Sequence, residues 1–316
     1  MPTSQHKRTL AYISMFFVIF VWGICPLFTQ YILQYYSATA SVLHTSIFGF
    51  IFFFIVSIKH LGELDKTYFK VAVTTGIFYS AADIFQKIGL QYTTPTRYAF
   101  LENLSCIIVP ILLFLLIKKK PTILTLLASL VCLIGAFFLT ADSGANGVQG
   151  IGFGEILCGM AGLFYGVNIA VTGIYAKKLR PTLYLMIQMG TCAIISAFSS
   201  ILFNNITVGG NIFEPFRFTF EPKIFIFKCI LTLVSSSLCW LIRTNAMRHV
   251  SAAVVAVIMP LSSVITAIAS VCFGKDILTP NLVIGAILGF AAAILSELGD
   301  TKKQKNVNEK NEVLSS

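Results

Sequence analysis

Residues 90–138, LQYTTPTRYAFLENLSCIIVPILLFLLIKKKPTILTLLASLVCLIGAFF, run in parallel with residues 247–295, MRHVSAAVVAVIMPLSSVITAIASVCFGKDILTPNLVIGAILGFAAAIL. With 247 set on 90, a constant offset of 157 needs no gap: Tyr92 meets His249, Asn103 meets Pro260, Thr122 meets Thr279 and Ala128 meets Gly285. Identities are few. Each stretch nevertheless places an apolar run, a short charged link, a threonine and a second apolar run in register. Each run is about 20 residues long, enough to cross a hydrocarbon core of about 30 Å at 1.5 Å per residue.

Composition agrees with that reading. Apolar residues fill 56% of 316 positions and charged residues 11%, against about 25% charged in soluble chains. Mean hydropathy is +0.84. So few polar groups cannot cover a water-soluble globule, so lipid is the expected solvent. Spans are predicted near 10–33, 38–58, 68–91, 95–117, 121–141, 150–175, 182–203, 224–246, 251–273 and 279–298. The first run follows Gln5-His6-Lys7-Arg8 but is too long for a signal-peptide core and contains no convincing small-x-small cleavage site, so it reads as an uncleaved span. Phe20-Val21-Trp22-Gly23 resembles Leu163-Phe164-Tyr165-Gly166, pairing Trp22 with Tyr165. Two units of five spans follow, residues 10–141 and 150–298. Five is odd, so the second unit enters the membrane from the opposite side. The predicted fold is an all-α integral membrane protein, ten transmembrane helices in two inverted-topology five-helix repeats, a layout common in secondary transporters. Residues 1–9 form a short cytoplasmic N-terminus. The polar tail 299–316 reads as disordered, with no soluble domain at either end.

The net charge of +10 is a topology signal rather than a nucleic-acid footprint. Of 23 basic residues, an N-terminus inside places 17 on the inner side, among them Lys118-Lys119-Lys120, Lys177-Lys178, Arg180, Arg243 and Arg248. The outer side receives 5: Arg97, Arg217, Lys223, Lys228 and Lys275. Lys87 stays within a span. Positive-inside bias then sets both termini in the cytoplasm. Short loops point to a bacterial inner membrane. The tripeptide Asn205-Ile206-Thr207 matters as a glycosylation acceptor only in a eukaryotic host.

The 8 cysteines are scattered through the spans with no C-x-x-C and read as small hydrophobes. The sequence carries no zinc spacing, Walker A or nucleophile motif. No catalytic residue, metal site or cofactor is expected, and ATP is excluded as a direct energy source for this chain alone.

In its layout the chain resembles the drug/metabolite transporter superfamily, specifically its EamA-type members. The resemblance covers roughly residues 10–298. It rests on Trp22-Gly23 with Pro26, on Gly89-Leu90-Gln91-Tyr92-Thr93, and on Pro260 followed by Gly274-Lys275-Asp276-Ile277-Leu278-Thr279. It implies a central cavity lined by spans 1–4 and 6–9, with spans 5 and 10 peripheral, and it favours export. The acidic residue usual after spans 4 and 9 is Lys119 here in one half and Asp276 in the other. The arginine often seen in span 2 has no counterpart, His44 being the nearest polar residue.

Polar residues inside spans are the candidate site. At 1.5 Å per residue from the Tyr92–Arg97 turn, Asp83 lies about 15 Å down one arm of a hairpin, and Glu102 and Asn103 about 13–15 Å down the other. His44 reaches a similar depth on span 2. Charges at such depth are costly and belong opposite one another or in a watery cavity. Asp83 and Lys87, at i and i+4, admit two readings: a structural ion pair, with Lys87 close enough to the surface to snorkel, or part of a substrate or proton site with Glu102 as a surplus acid favouring a cationic or zwitterionic substrate. Asn168 and Gln188 serve either as ligands or as interhelical polar contacts. Trp22 and Trp240, with Tyr165, form either an aromatic wall or packing. Arg97 is read as interfacial, and Arg243 and Arg248 as topology anchors. Pro26, Pro110 and Pro260 are expected to kink spans 1, 4 and 9. The function expected is secondary transport, with proton coupling or a downhill gradient as the energy source. The protein would move a small metabolite, amino acid or drug-like cation across the bilayer, as a monomer or homodimer. A lipid or lipid-linked-group flippase on the same fold is the alternative.

Overall fold

The computed structural model describes residues 4–118, 120–141, 152–208, 211–292, 294–295 and 298. The expected disordered tail 299–316, residues 1–3 and Lys119 lie outside the described residues.

Helices follow one another along the chain: α1 (Ser4–Ile32), α2 (Ala38–Ser57), α3 (Lys66–Leu90), α4 (Pro95–Leu101), α5 (Ser105–Ile117), α6 (Ile123–Ala141), α7 (Phe153–Tyr175) and α8 (Pro181–Asn205). Then come α9 (Pro222–Leu231), α10 (Cys239–Ala246), α11 (Ala252–Ile258) and α12 (Leu261–Cys272), and an apolar helix α13 (Pro280–Ala292). A 3-10 turn, Glu102–Leu104, joins α4 to α5, and a π-helical segment, Thr232–Leu238, joins α9 to α10. Among the described residues the strands amount to two residues each, Thr207–Val208 paired antiparallel with Asn211–Ile212. Among the described residues, seven helical stretches are long and apolar enough to cross a membrane: α1, α2, α4–α5, α7, α8, α9–α10 and α11–α12. The burial pattern is that of a protein in lipid. Phe198 and Ile201 on α8 are 70% and 65% exposed, whereas Gln188 on the same helix is 0% exposed.

The same local devices recur 157 residues apart. The Thr94 hydroxyl caps α4 by accepting from Arg97 N, and Ser251 caps α11 by accepting from Val254 N. Thr122 accepts from Thr125 N and Thr279 from Leu282 N. The α4–α5 helix is interrupted at Glu102–Leu104 and the α11–α12 helix at Met259–Pro260. Pro260 explains the second break, since it offers no N–H to the turn before it. Pro110 does not break its helix. It leaves the Cys106 carbonyl without an i+4 donor, and Ser129 Oγ of α6 donates to that oxygen at 2.9 Å. Pro26 likewise lies inside a continuous α1.

Several close crossings at glycine hold the bundle together, among them those of α1 with α12 and of α7 with α5. An added Cβ at Gly23 of α1 would stand 2.5 Å from Ile265 Cβ of α12, and one at Gly166 of α7 would stand 2.7 Å from Ile108 Cγ2 of α5. Only glycine lets the backbones approach this far. Ile108 and Ile265 again stand 157 apart. The helix α2 packs mainly on α8, and α3 on α7 and α8.

Candidate functional site

Both helix breaks open onto one cavity of about 120 Å³. Glu102 and Asn103 reach it from the first break, Met259 and Ser262 from the second. Asn103 Nδ2 donates to Ser263 Oγ at 2.9 Å, and Ser263 Oγ donates to the Ala99 carbonyl at 2.9 Å, so the two breaks are tied across the cavity. Freed backbone and polar side chains are tolerated at membrane depth where they line such a space.

Of the residues singled out in the sequence, Trp22, Asp83, Lys87, Glu102, Asn103, Tyr165 and Trp240 line this cavity. Lys87 Nζ donates to Asp83 Oδ2 at 2.9 Å, so the ion pair forms and both members also face the cavity. Glu102 accepts from Gln86 Nε2 at 2.7 Å, and Gln86 Oε1 accepts from Tyr165 OH at 2.8 Å. The aromatic rings group around Trp240, whose centroid lies 4.7 Å from Tyr79, 5.6 Å from Trp22 and 6.2 Å from Tyr165. Trp22 Nε1 donates to the Ser235 carbonyl in the π-helical segment at 3.0 Å. A π turn shifts the register of the α9–α10 face and re-aims its residues, a device common at functional sites.

Three candidates lie elsewhere. His44 does not line the cavity; its ring packs with Phe48, Phe225 and Tyr36 near Cys229, because position 44 of α2 points at α9 and at the turn between α1 and α2. Asn168 is fully buried one layer behind the cavity, accepting from Arg243 Nη2 at 3.0 Å and donating to the Thr75 carbonyl at 3.2 Å. Gln188 is fully buried where α8 meets α2 and α3, and neither atom of its amide has a partner.

The basic residues differ most from the sequence reading. Arg243 is no surface anchor: it is 2% exposed and lines the cavity, its guanidinium carbon 3.8 Å from the Trp240 ring centroid. Two acids, Asp83 and Glu102, therefore face two bases, Lys87 and Arg243, and the surplus acid disappears. A sequence signal existed. Trp240 and Arg243 stand at i and i+3, and at the offset of 157 Arg243 falls on Gln86, another lining residue. Arg97 is buried and pairs with Glu155 at 3.3 Å rather than sitting at the interface. Lys228 is also buried, donating to Ser41 Oγ at 2.6 Å and Thr45 Oγ1 at 3.1 Å.

The two ends of the bundle differ. At the end holding the α3–α4 turn lies a recess of about 800 Å³, lined by Gln30, Gln91, Thr93, Arg97, Arg217 and Lys275 among others. Beyond Arg243 in the other direction, Tyr184 OH donates to Thr75 Oγ1 at 2.8 Å and meets Thr172 Oγ1 at 2.7 Å. A void of about 10 Å³, bordered by Thr172, Tyr184 and Thr244, lies there. His/Cys/Asp/Glu groups able to hold a metal are absent among the described residues.

The EamA-like transporter family matches the chain twice, over residues 9–141 and 152–298. An uncharacterized transporter of Archaeoglobus fulgidus is 25% identical over 292 residues, 92% of this chain and 87% of that protein. A crystal structure of a protein 14% identical superposes with a TM-score of 0.70, covering 92% of this chain and 97% of the other.

Proposed function

The chain belongs to the EamA-like transporter family and is a multi-pass membrane transporter, and from that premise we propose that it is a secondary exporter of a small amine-bearing or zwitterionic metabolite. In this reading α3, α6 and α13 complete ten spans arranged as two inverted five-span units, residues 10–141 and 150–298. Both termini lie in the cytoplasm of a bacterial inner membrane. Recurrence of the helix breaks and caps at one offset supports the inverted arrangement. The observation that carries the functional reading is the cavity where the two breaks meet, with Asp83 and Glu102, two bases and an aromatic wall collected at membrane depth. Such groups are expensive in lipid unless a polar ligand or water uses them. The large recess at one end and the hydrogen-bonded closure at the other correspond to one side of an alternating-access cycle, driven by a proton or solute gradient.

The test is a thermal-shift screen of the purified protein against amino acids, polyamines, nucleosides, quaternary amines and sugars. A ligand at 100 times its Kd that binds only the folded state stabilises it by about 2.7 kcal/mol. A shift with a cationic or zwitterionic compound, lost in Glu102→Gln or Asp83→Asn, is the expected result. No shift with any soluble compound would refute it in favour of a lipid substrate.

A further inference from the structure

Arg243 is the least satisfied group in the cavity. A guanidinium carries five N–H donors, and here only Nη2 finds a protein acceptor, Asn168 Oδ1. Nε is buried with no partner at all. Among the described residues no carboxylate lies within 4.0 Å of the guanidinium: Asp83 is paired with Lys87 and Glu102 is held by Gln86. Yet the side chain is held in place. Asn168 fixes one edge, the Trp240 face lies 3.8 Å from Cζ, and the Trp22 ring is at 5.8 Å. A buried, unpaired arginine is costly to keep, and a planar guanidinium already oriented loses little freedom when an anion docks.

We propose that Arg243 is the anion-recognition residue of the cavity, taking a carboxylate or phosphate of the transported molecule. Asn168 and Trp240 act as its positioning residues. The proposal rests on the reading of this cavity as the substrate site and narrows it. The ligand bears an anionic group toward Arg243 as well as any amine toward Glu102, so a plain cation is a poor substrate. An acid and a base that do not bridge each other across a cavity are each left for the two ends of an amphoteric ligand. Charge-assisted, paired hydrogen bonds from arginine are the strongest and most geometry-selective contacts available for that purpose.

The chain has 2 tryptophans, and both flank this guanidinium, so intrinsic fluorescence of the full-length protein in detergent reports on the site. The probes are L-leucine, 3-methylbutylamine (leucine without its carboxylate), 4-methylpentanoate (leucine without its ammonium) and inorganic phosphate, titrated at fixed pH and ionic strength. The expected result is a saturable change with an anion-bearing probe, roughly tenfold or more tighter than with 3-methylbutylamine. The carboxylate and phosphate arms decide which anion is read. Arg243→Lys keeps the charge but loses the fork. It should weaken the anion-bearing probe about tenfold and leave the amine unchanged. The wild-type comparison of leucine with its amine needs no variant and so does not depend on how well Arg243→Lys folds. Equal binding of leucine and 3-methylbutylamine overturns the proposal. If that amine binding is lost in Glu102→Gln, the substrate-cavity reading still stands. No response to any of the four probes also overturns it, and silence across the wider thermal screen would remove the cavity reading as well.

Discussion

A methyl group placed on Gly23 tests the central crossing of the bundle directly. Its carbon would stand 2.5 Å from Ile265 Cβ, 2.6 Å from Ile265 Cγ2 and 2.9 Å from the Ser262 carbonyl oxygen. Carbon atoms pack at about 3.5–4.0 Å, so α1 and α12 would have to part by roughly 1 Å. Ile265 cannot rotate away, because its nearest atom is Cβ itself, and the Ser262 oxygen belongs to the backbone. Overpacking of this kind costs about 1–3 kcal/mol. Replacing glycine by alanine in a helix also gains about 1 kcal/mol of intrinsic propensity, so the comparison needs a control carrying the same gain. Gly159 provides it, since an added Cβ there would meet only Leu104 Cδ1 at 3.5 Å. Gly23→Ala should therefore be less stable than Gly159→Ala by about 1–3 kcal/mol. Gly166→Ala, at 2.7 Å from Ile108 Cγ2, should behave like Gly23→Ala. Unfolding in mixed SDS–detergent micelles, followed by tryptophan fluorescence, measures the difference. Equal stability of Gly23→Ala and Gly159→Ala would mean that α1 and α12 do not cross this closely.

Three further outcomes follow from the same contacts. Ser129→Ala removes the donor that satisfies the Cys106 carbonyl freed by Pro110, and should lower unfolding free energy by about 1–3 kcal/mol; an unchanged value in the same micelle titration would contradict the bond. Lys228→Met should leave stability unchanged or raised, because it replaces a buried amine held only by Ser41 and Thr45, whereas Ser41→Ala with Thr45→Val strips that amine of its acceptors and should destabilise by about 1–3 kcal/mol; the reverse order in thermal melts would refute this. In the loop between α8 and α9, burial holds the Glu214 carboxyl above the usual carboxylate range despite the hydrogen bonds it accepts from Ala38 N and Thr39 N. The folded protein then binds that proton more tightly than the unfolded chain. Its contribution is complete below about pH 4.3 and is lost as pH rises through the folded value, so melts between pH 4 and 8 should show this decline flattened in Glu214→Gln.

The sequence was legible where the signal was local or periodic. Long apolar runs announced the helices, and the offset of 157 set Asn103 on Pro260, although the kink in span 4 was expected at Pro110 and the break falls at Glu102–Leu104 instead. Asp83, Lys87 and Glu102 stood out because charge is rare in such runs. Arg243 was misread for a physical reason. It lies near the end of its run, where positive-inside bias makes arginine unremarkable, and only the π-helical segment before it and the stacking on Trp240 turn it inward. Lys228 and Arg97 were misread in the same way, since position along a span does not reveal which end residues fold back into the bundle. His44 and Gln188 show the converse. Depth in a span does not say which face of the helix meets the cavity: α2 turns His44 toward α9, and α8 buries Gln188 against its neighbours.

The crossings also bear on how such a bundle can change shape. Gly23 of α1 packs on Ile265 of α12, and Gly166 of α7 on Ile108 of α5. Each contact joins the first helix of one matched segment to the broken helix of the other. Rocking one sequence segment against the other as whole bodies would have to pull both glycine contacts apart, along with the Asn103–Ser263 bond between the breaks. Packed interfaces deform by sliding or by switching between discrete arrangements, not by continuous stretching. The polar chain from Arg243 through Asn168, Thr75 and Tyr184 joins α10, α7, α3 and α8, and it is made of single hydrogen bonds that can be exchanged for water one at a time. An anion drawn to Arg243 acts on the first link of that chain, where α10, α7, α3 and α8 meet.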